Sequence, residues 1–320
     1  MTDQAIILGI GGQDGYFMSN LLAGKGVRTL GLLTSSDMDS ETVPLLPLEV
    51  ELVEGSISDR DLLRGLFRKV QPNYIFNFAG ISFIPYCSEA VSKAVEVNGV
   101  AVSSLLEILV EECPKSRFFQ AGSSEMFGHN PLATPQNEQT PFCPDNPYGI
   151  AKVFAANMVR WFRSHRGLFA CTGILYNHES PWRRIEYVTR KITTAASSIK
   201  KGLTNHLELG DIRSVRDWSY AGDIVEAMWL SLQAEEPRDY VLASGTIHSV
   251  ENWLDIAFSY LELDWRNHVT QSADFNRPIE PIPLCGDPAL AKNLLGWRPR
   301  MTFEDLVRMM VDADLQRLMS

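Results

Sequence analysis

Ala5-Ile6-Ile7-Leu8 is an unbroken apolar run that stops at Gly9, and Gly12 and Gly15 follow before an apolar-periodic stretch to Ala23. A short run with no polar face suits a strand covered on both sides, as parallel strands are. The alternation recurs along the chain. Strands are expected near Thr29–Leu33, Glu49–Val53, Tyr74–Asn77, Arg117–Ala121 and Phe169–Leu175, and helices over Gly15–Ala23, Asp59–Val70, Ala90–Val110 and Pro147–Arg166. Parallel strands joined through helices need right-handed crossovers, so the pattern predicts an α/β fold with a doubly wound, Rossmann-type parallel sheet.

After Leu175 the alternation loosens. Asn177–Arg184 is polar and turn-rich, Val188–Lys201 reads as a helix, Asp217–Ala234 as a return to the sheet, and Val250–Leu261 and Phe303–Leu318 as helices of a smaller lobe. The expected division is residues 1–176, with 208–247 returning, as the sheet domain. Residues 177–207 and 248–320 are expected to form a smaller C-terminal substrate-binding lobe. A chain of 320 residues with 45% hydrophobic content can bury a core of that size. Its charge of -10 is spread along the sequence, which argues against nucleic acid or an anionic membrane as the main partner.

Five cysteines form an odd set without a CxxC pair, as expected of reduced packing residues in a cytoplasmic protein. Met1-Thr2-Asp3-Gln4 lacks a basic region ahead of an apolar stretch, and no run reaches the ~18 apolar residues of a membrane span. Neither export nor membrane insertion is expected. The six histidines show no ligand spacing, so no metal is expected.

The turn Gly9-Ile10-Gly11-Gly12-Gln13-Asp14-Gly15 joins the first strand to the first helix, where free amides and the helix dipole hold a pyrophosphate. Gly9 serves the turn, Gly12 the close approach and Gly15 the helix packing. The second strand ends at Leu33-Thr34-Ser35-Ser36-Asp37, where an acid reads a free ribose hydroxyl and an arginine reads a ribose phosphate. No arginine stands there. Thr34 and Ser35 offer hydroxyls to a phosphate and Asp37 offers a carboxylate to a ribose, so NADP and NAD both remain open.

Ser123 and Glu125 follow the buried strand that ends at Ala121, at the edge where such sheets place ligands. Tyr148 and Lys152 lie four apart in a helix and so share a face, where the ammonium can lower the phenol's pKa. Tyrosine, lysine and a dinucleotide loop together point to hydride chemistry on a sugar or alcohol.

These residues resemble the extended short-chain dehydrogenase/reductases and, within them, the GDP-mannose 4,6-dehydratase family. The resemblance is carried by Gly12–Gly15, Gln120–Gly128, Tyr148 with Lys152, Gly173–Pro181, Val188–Lys191, Arg216–Trp218, Asp223–Trp229 and Leu295–Pro299. It implies a hydro-lyase in which Tyr148, assisted by Lys152, takes the C4 hydroxyl proton of a GDP-linked sugar. Glu125 would take the C5 proton and expel the C6 hydroxyl, and Ser123 would bond the reacting oxygen. It further implies Ser82, Asn177, Lys191, Arg216, Arg277 and Glu280 as substrate contacts, NADP as cofactor, and a homodimer through the two long helices.

The chain departs from the family at the second strand, where paired arginines that serve NADP binding and tetramer assembly are replaced by Leu33-Thr34 or Thr34-Ser35. A Gly-Asp pair after the third strand is here Gly55-Ser56. NAD and a dimer without tetramer therefore stay open. So do a related reductase, epimerase or decarboxylase, and a cofactor-binding regulator without catalysis.

Overall fold

Alternate residues of each central strand pack into two separate cores, which is why the strands lack a polar face. The computed structural model describes residues 2–129, 131–272 and 282–319. Its large sheet holds β1 (Gln4–Leu8), β2 (Arg28–Leu33), β3 (Glu51–Glu54), β4 (Tyr74–Asn77), β5 (Arg117–Ala121) and β6 (Phe169–Leu175). Three strands of the smaller sheets, β7 (Asn177–Glu179), β8 (Leu207–Leu209) and β9 (Val215–Tyr220), precede its seventh member, β10 (Tyr240–Leu242). The order is β10-β6-β5-β4-β1-β2-β3, and every pairing is parallel.

Ile7, Phe76 and Phe119 face one core, which α1 (Gln13–Gly24) closes through Met18 and Leu22. Ile6, Leu8, Ile75 and Phe118 face the other, covered by Leu66 and Phe67 of α2 (Arg60–Val70). The strand order reverses between β1 and β4, so a crevice opens there at the carboxyl edge.

The expected helix Ala90–Val110 is found as a continuous helical stretch from Val91 to Glu112 with a π segment inside it. After α3 (Ile84–Glu89) come α4 (Val91–Val95), a π turn at Glu96–Val100 and α5 (Ala101–Glu112). The π turn carries Asn98 to the loop after β4, where it accepts from Ile81 N and donates to Ile81 O, each at 3.0 Å. The irregular turn thus exchanges helix regularity for a clasp on a site loop. Further on, α6 (Pro147–Arg166) keeps the expected limits; its N-cap Asn146, Pro147 in the first turn and Gly167 in left-handed geometry are the standard start and stop signals.

The lobe is built on α7 (Val188–Lys200), β7, β8 and β9. The return to the large sheet starts later than residue 208. β8 pairs with β12 (Val269–Gln271), and β9 joins β7 and β11 (Ile247–Ser249); of residues 208–247, α8 (Ala221–Ser231) and β10 rejoin the sheet domain. Between β11 and β12 lies α9 (Val250–Tyr260), and after β12 come α10 (Ala289–Leu295) and α11 (Phe303–Arg317). Ala291 of α10 and Trp297 pack into the sheet core, although that stretch had been assigned to the lobe. Trp297 Nε1 donates to Asp223 O of α8 at 2.8 Å, which fixes it there.

Within the lobe, Arg190 of α7 and Asp314 of α11 form a buried ion pair, Nη2 to Oδ1 at 2.9 Å, and Thr193 Oγ1 donates to Asp314 Oδ2 at 2.7 Å. Removing one charge from such a pair strands the other. Asp314→Ala is expected to destabilise the lobe by about 3–5 kcal/mol, read by urea denaturation. Replacing Arg190 and Asp314 together by Met and Leu should recover most of that loss.

Candidate active site

The turn after β1 is shaped by contacts that leave no room for side chains. Gly9 has φ 83°, and a Cβ there would lie 2.6 Å from Ala79 N; a Cβ on Gly15 would lie 2.3 Å from Ile10 O. Gly12 caps α1 without a side-chain bond to its amides, and the nearest atom to a Cβ there is Gly9 O at 3.5 Å. Free helix N–H groups and an open glycine face fit a dinucleotide pyrophosphate.

Gln13 and Asp14 bind the lobe to this turn. Gln13 Nε2 donates to His178 O at 3.0 Å, and Ser180 Oγ donates to Gln13 Oε1 at 2.6 Å. His178 Nε2 lies 3.0 Å from Asp14 Oδ1, while Nδ1 lies 2.7 Å from Tyr176 O. Two acceptors at the two ring nitrogens call for an imidazolium. Burial opposes both charges, yet the His178 charge holds the Asp14 carboxyl below its ordinary value and Asp14 holds His178 above its own.

Ser123 caps the short 3₁₀ turn Ser124–Phe127, its Oγ accepting from Glu125 N at 3.2 Å, and the same hydroxyl favours the ionised form of the Tyr148 phenol. The capping and site roles coexist. Glu125 Oε2 accepts from Asn146 Nδ2 at 2.9 Å, while Asn146 Oδ1 accepts from Gly149 N at 2.9 Å as the α6 cap. Asn146, unassigned by sequence reasoning, thereby ties Glu125 to the start of the helix that bears Tyr148. Its position before Pro147 signalled the cap but not the partner.

Tyr148 and Lys152 share a face as expected, with Nζ 5.6 Å from the phenol ring centre. Their electrostatics differ from the expectation. Burial raises the Tyr148 phenol above its ordinary value, with Tyr187 and Glu125 adding to the rise and the Ser123 hydroxyl opposing it. Lys152 donates to Ala121 O at 2.9 Å, and burial lowers it to about 8. Desolvation is the largest influence on both groups.

Ser82 Oγ and Tyr187 Oη meet at 2.9 Å, joining the loop after β4 to the residue that starts α7. Arg183 lies over the Tyr187 ring at 3.6 Å; its Nε is 3.2 Å from Glu179 Oε2 but is a buried donor without a hydrogen-bond partner. Arg183 and Tyr187 were also missed, since a polar, turn-rich stretch discloses no pairing. Asn177 opens β7, Lys191 lies in the first turn of α7, and Arg216 on β9 pairs with His248 of β11. Thr34 and Ser35 follow β2 beside the glycine turn. Arg277 and Glu280 lie outside the described residues.

This arrangement matches known sequences along nearly the whole chain. The family described as GDP-mannose 4,6 dehydratase matches residues 6–310. The chain belongs to that family. GDP-mannose 4,6 dehydratase 2 of Arabidopsis thaliana is 41% identical, over 98% of this chain and 87% of its own length. The human GDP-mannose 4,6 dehydratase is 36% identical, over 98% and 91%. Among solved structures, a UDP-glucose 4-epimerase of Thermotoga maritima superposes with TM-score 0.88 at 20% identity, covering 98% of this chain and 99% of that one. The DesIV dTDP-glucose 4,6-dehydratase of Streptomyces venezuelae, solved with NAD, gives 0.83 at 23%, covering 97% and 96%. At those identities the structures establish the fold that this dehydratase family shares.

The Asp14–His178 pair has a pH signature. Asp14 contributes stability above its ordinary 3.8 and loses it as pH falls through its lowered value. His178 contributes fully below its ordinary 6.5 and loses that stability as pH rises through its raised value. The destabilisation caused by His178→Gln is therefore expected to be largest between those two ordinary values and to shrink at alkaline pH. Urea denaturation of both proteins across pH, with a constant difference as the contrary result, tests this.

Proposed function

We propose that the protein is a hydro-lyase converting GDP-D-mannose to GDP-4-dehydro-6-deoxy-D-mannose, a step of deoxysugar and surface-polysaccharide synthesis. The observation that carries this reading is Glu125, a carboxylate held by Asn146 near enough to Tyr148 for its charge to raise the phenol. Oxidation at C4 needs Tyr148, whereas only an elimination across C5 and C6 also needs a carboxylate there. That distinguishes a dehydratase from a 4-keto reductase or an epimerase.

A nicotinamide dinucleotide, when bound, supplies the hydride acceptor for C4 and the donor for C6. Tyr148 takes the C4 hydroxyl proton, with Lys152 on the same helix face as the cation that favours phenolate. Ser123 donates to the C4 oxygen as it becomes a carbonyl. Glu125 then removes the C5 proton, made acidic by the ketone, and delivers a proton to the departing C6 hydroxyl. Asn146 holds Glu125 for both transfers. Asn177, Ser82, Lys191 and Arg216 are proposed to hold the GDP-sugar, with Arg277 and Glu280 proposed on the family resemblance alone. The five free cysteines support a cytoplasmic setting.

Incubation with GDP-mannose is expected to yield a nucleotide sugar lighter by one water without net reduction of cofactor. Glu125→Gln and Tyr148→Phe should each lower kcat by about 10²–10⁴. Unchanged GDP-mannose, or stoichiometric cofactor consumption, counts against the reading.

We also propose a homodimer through α6 and its neighbours. Ile150, Phe154 and Trp161 are 51%, 44% and 43% exposed on one face of α6, and Val100 is 51% exposed in the adjoining π turn. A contiguous apolar helix face of this kind supports burial against a second copy. Light scattering is expected to give twice the chain mass, and the Phe154→Glu, Trp161→Glu double variant to give one chain mass. A monomeric unaltered protein would sink the proposal.

A further inference from the structure

The segment after β2 is fastened to the glycine turn. Ser40 Oγ and Thr42 Oγ1 both donate to Gly11 O at 2.7 Å. A Cβ on Gly11 would come within 3.1 Å of Asp37 Cβ. Asp37 therefore stands against the glycine turn, at the end of the 3₁₀ turn Ser35–Asp37 that follows β2, the strand after which an adenosine ribose is read. Thr34 holds it there, its amide and hydroxyl donating to Asp37 Oδ2 at 3.4 and 2.6 Å. Both bonds fall on Oδ2, so Oδ1 retains its capacity to accept.

Of the three hydroxyls that follow β2, those of Thr34 and Ser36 are committed within the turn. Thr34 spends its proton on Asp37, so in the 2.9 Å contact between Thr34 and Ser36 the donor is Ser36. From Leu33 to Asp59 the sequence has seven carboxylates and no lysine or arginine. Arg317 approaches Glu41 at 3.7 Å but is bound to Asp314 Oδ1 at 3.0 Å and to Pro181 O at 2.9 Å.

We propose that the site selects NAD over NADP, with Asp37 as the specificity-determining residue. The inference rests on the dinucleotide site of the dehydratase reading and departs from the NADP that the family resemblance implies. A free ribose 2′-hydroxyl donates to Asp37 Oδ1. A 2′-phosphate brings its negative charge against the same carboxylate, with the Thr34 and Ser36 hydroxyls already engaged, so rejection comes from repulsion as well as from a lost bond.

Direct titration of the purified protein with NADH and with NADPH, read by tryptophan-to-nicotinamide energy transfer without any sugar nucleotide, tests the preference. NADH is expected to bind at least about tenfold tighter. Asp37→Asn and, independently, Ser35→Arg should narrow the ratio to about threefold or reverse it by improving NADPH binding. NADPH bound as tightly as NADH by the unaltered protein, or a ratio unmoved in both variants, overturns the proposal. Selective NADH binding with GDP-mannose left intact would overturn the dehydratase reading alone, whereas binding of neither dinucleotide would overturn both.

Discussion

Seven parallel strands, buried on both faces, deliver their following loops to one edge, and the chemistry of this chain depends on that constraint. The glycine turn after β1, Asp37 after β2, Ser82 after β4, and Ser123 and Glu125 after β5 come from distant sequence positions yet all follow the carboxyl ends of strands of this one sheet. The lobe could not supply these groups itself. Its contribution is to press His178 and Ser180 onto Asp14 and Gln13, so that the edge is roofed by contacts at the dinucleotide turn.

Much of this was legible in the sequence because two-sided burial leaves a coarse imprint. β4, β5, β6 and α6 occupy the expected residues, since their apolar runs and end signals are unambiguous. The π turn was not legible: Ala90 to Val110 is apolar enough to read as one regular helix, and the widened turn shows only in the meeting of Asn98 with Ile81. The lobe boundary was obscured for a related reason. β8 and β9 look like sheet strands locally, and only their partners, β12 and β7, place them elsewhere.

At the site, residue identities were more readable than their electrostatics. Sequence spacing sets Tyr148 and Lys152 on one face, but periodicity carries no information on how much water the fold removes. Burial moves the phenol up and the ammonium down, bringing the two proton affinities apart from what adjacency alone suggests. Asn146 and Tyr187 were missed because each acts through a partner distant in sequence, Glu125 for the first and Ser82 for the second, and Arg183 because a turn-rich stretch has no periodicity to set it against Glu179 and Tyr187.

One amide serves as both the beginning of a helix and the support of an acid. Asn146 spends its oxygen on the first turn of α6 and its nitrogen on Glu125, so folding of that helix and placement of the carboxylate are a single event. A chain in which α6 has frayed at its start has also released its acid, and one in which α6 is formed has the acid already aimed. The role proposed for Glu125 is in this respect tied to secondary structure, through the amide that also caps the helix.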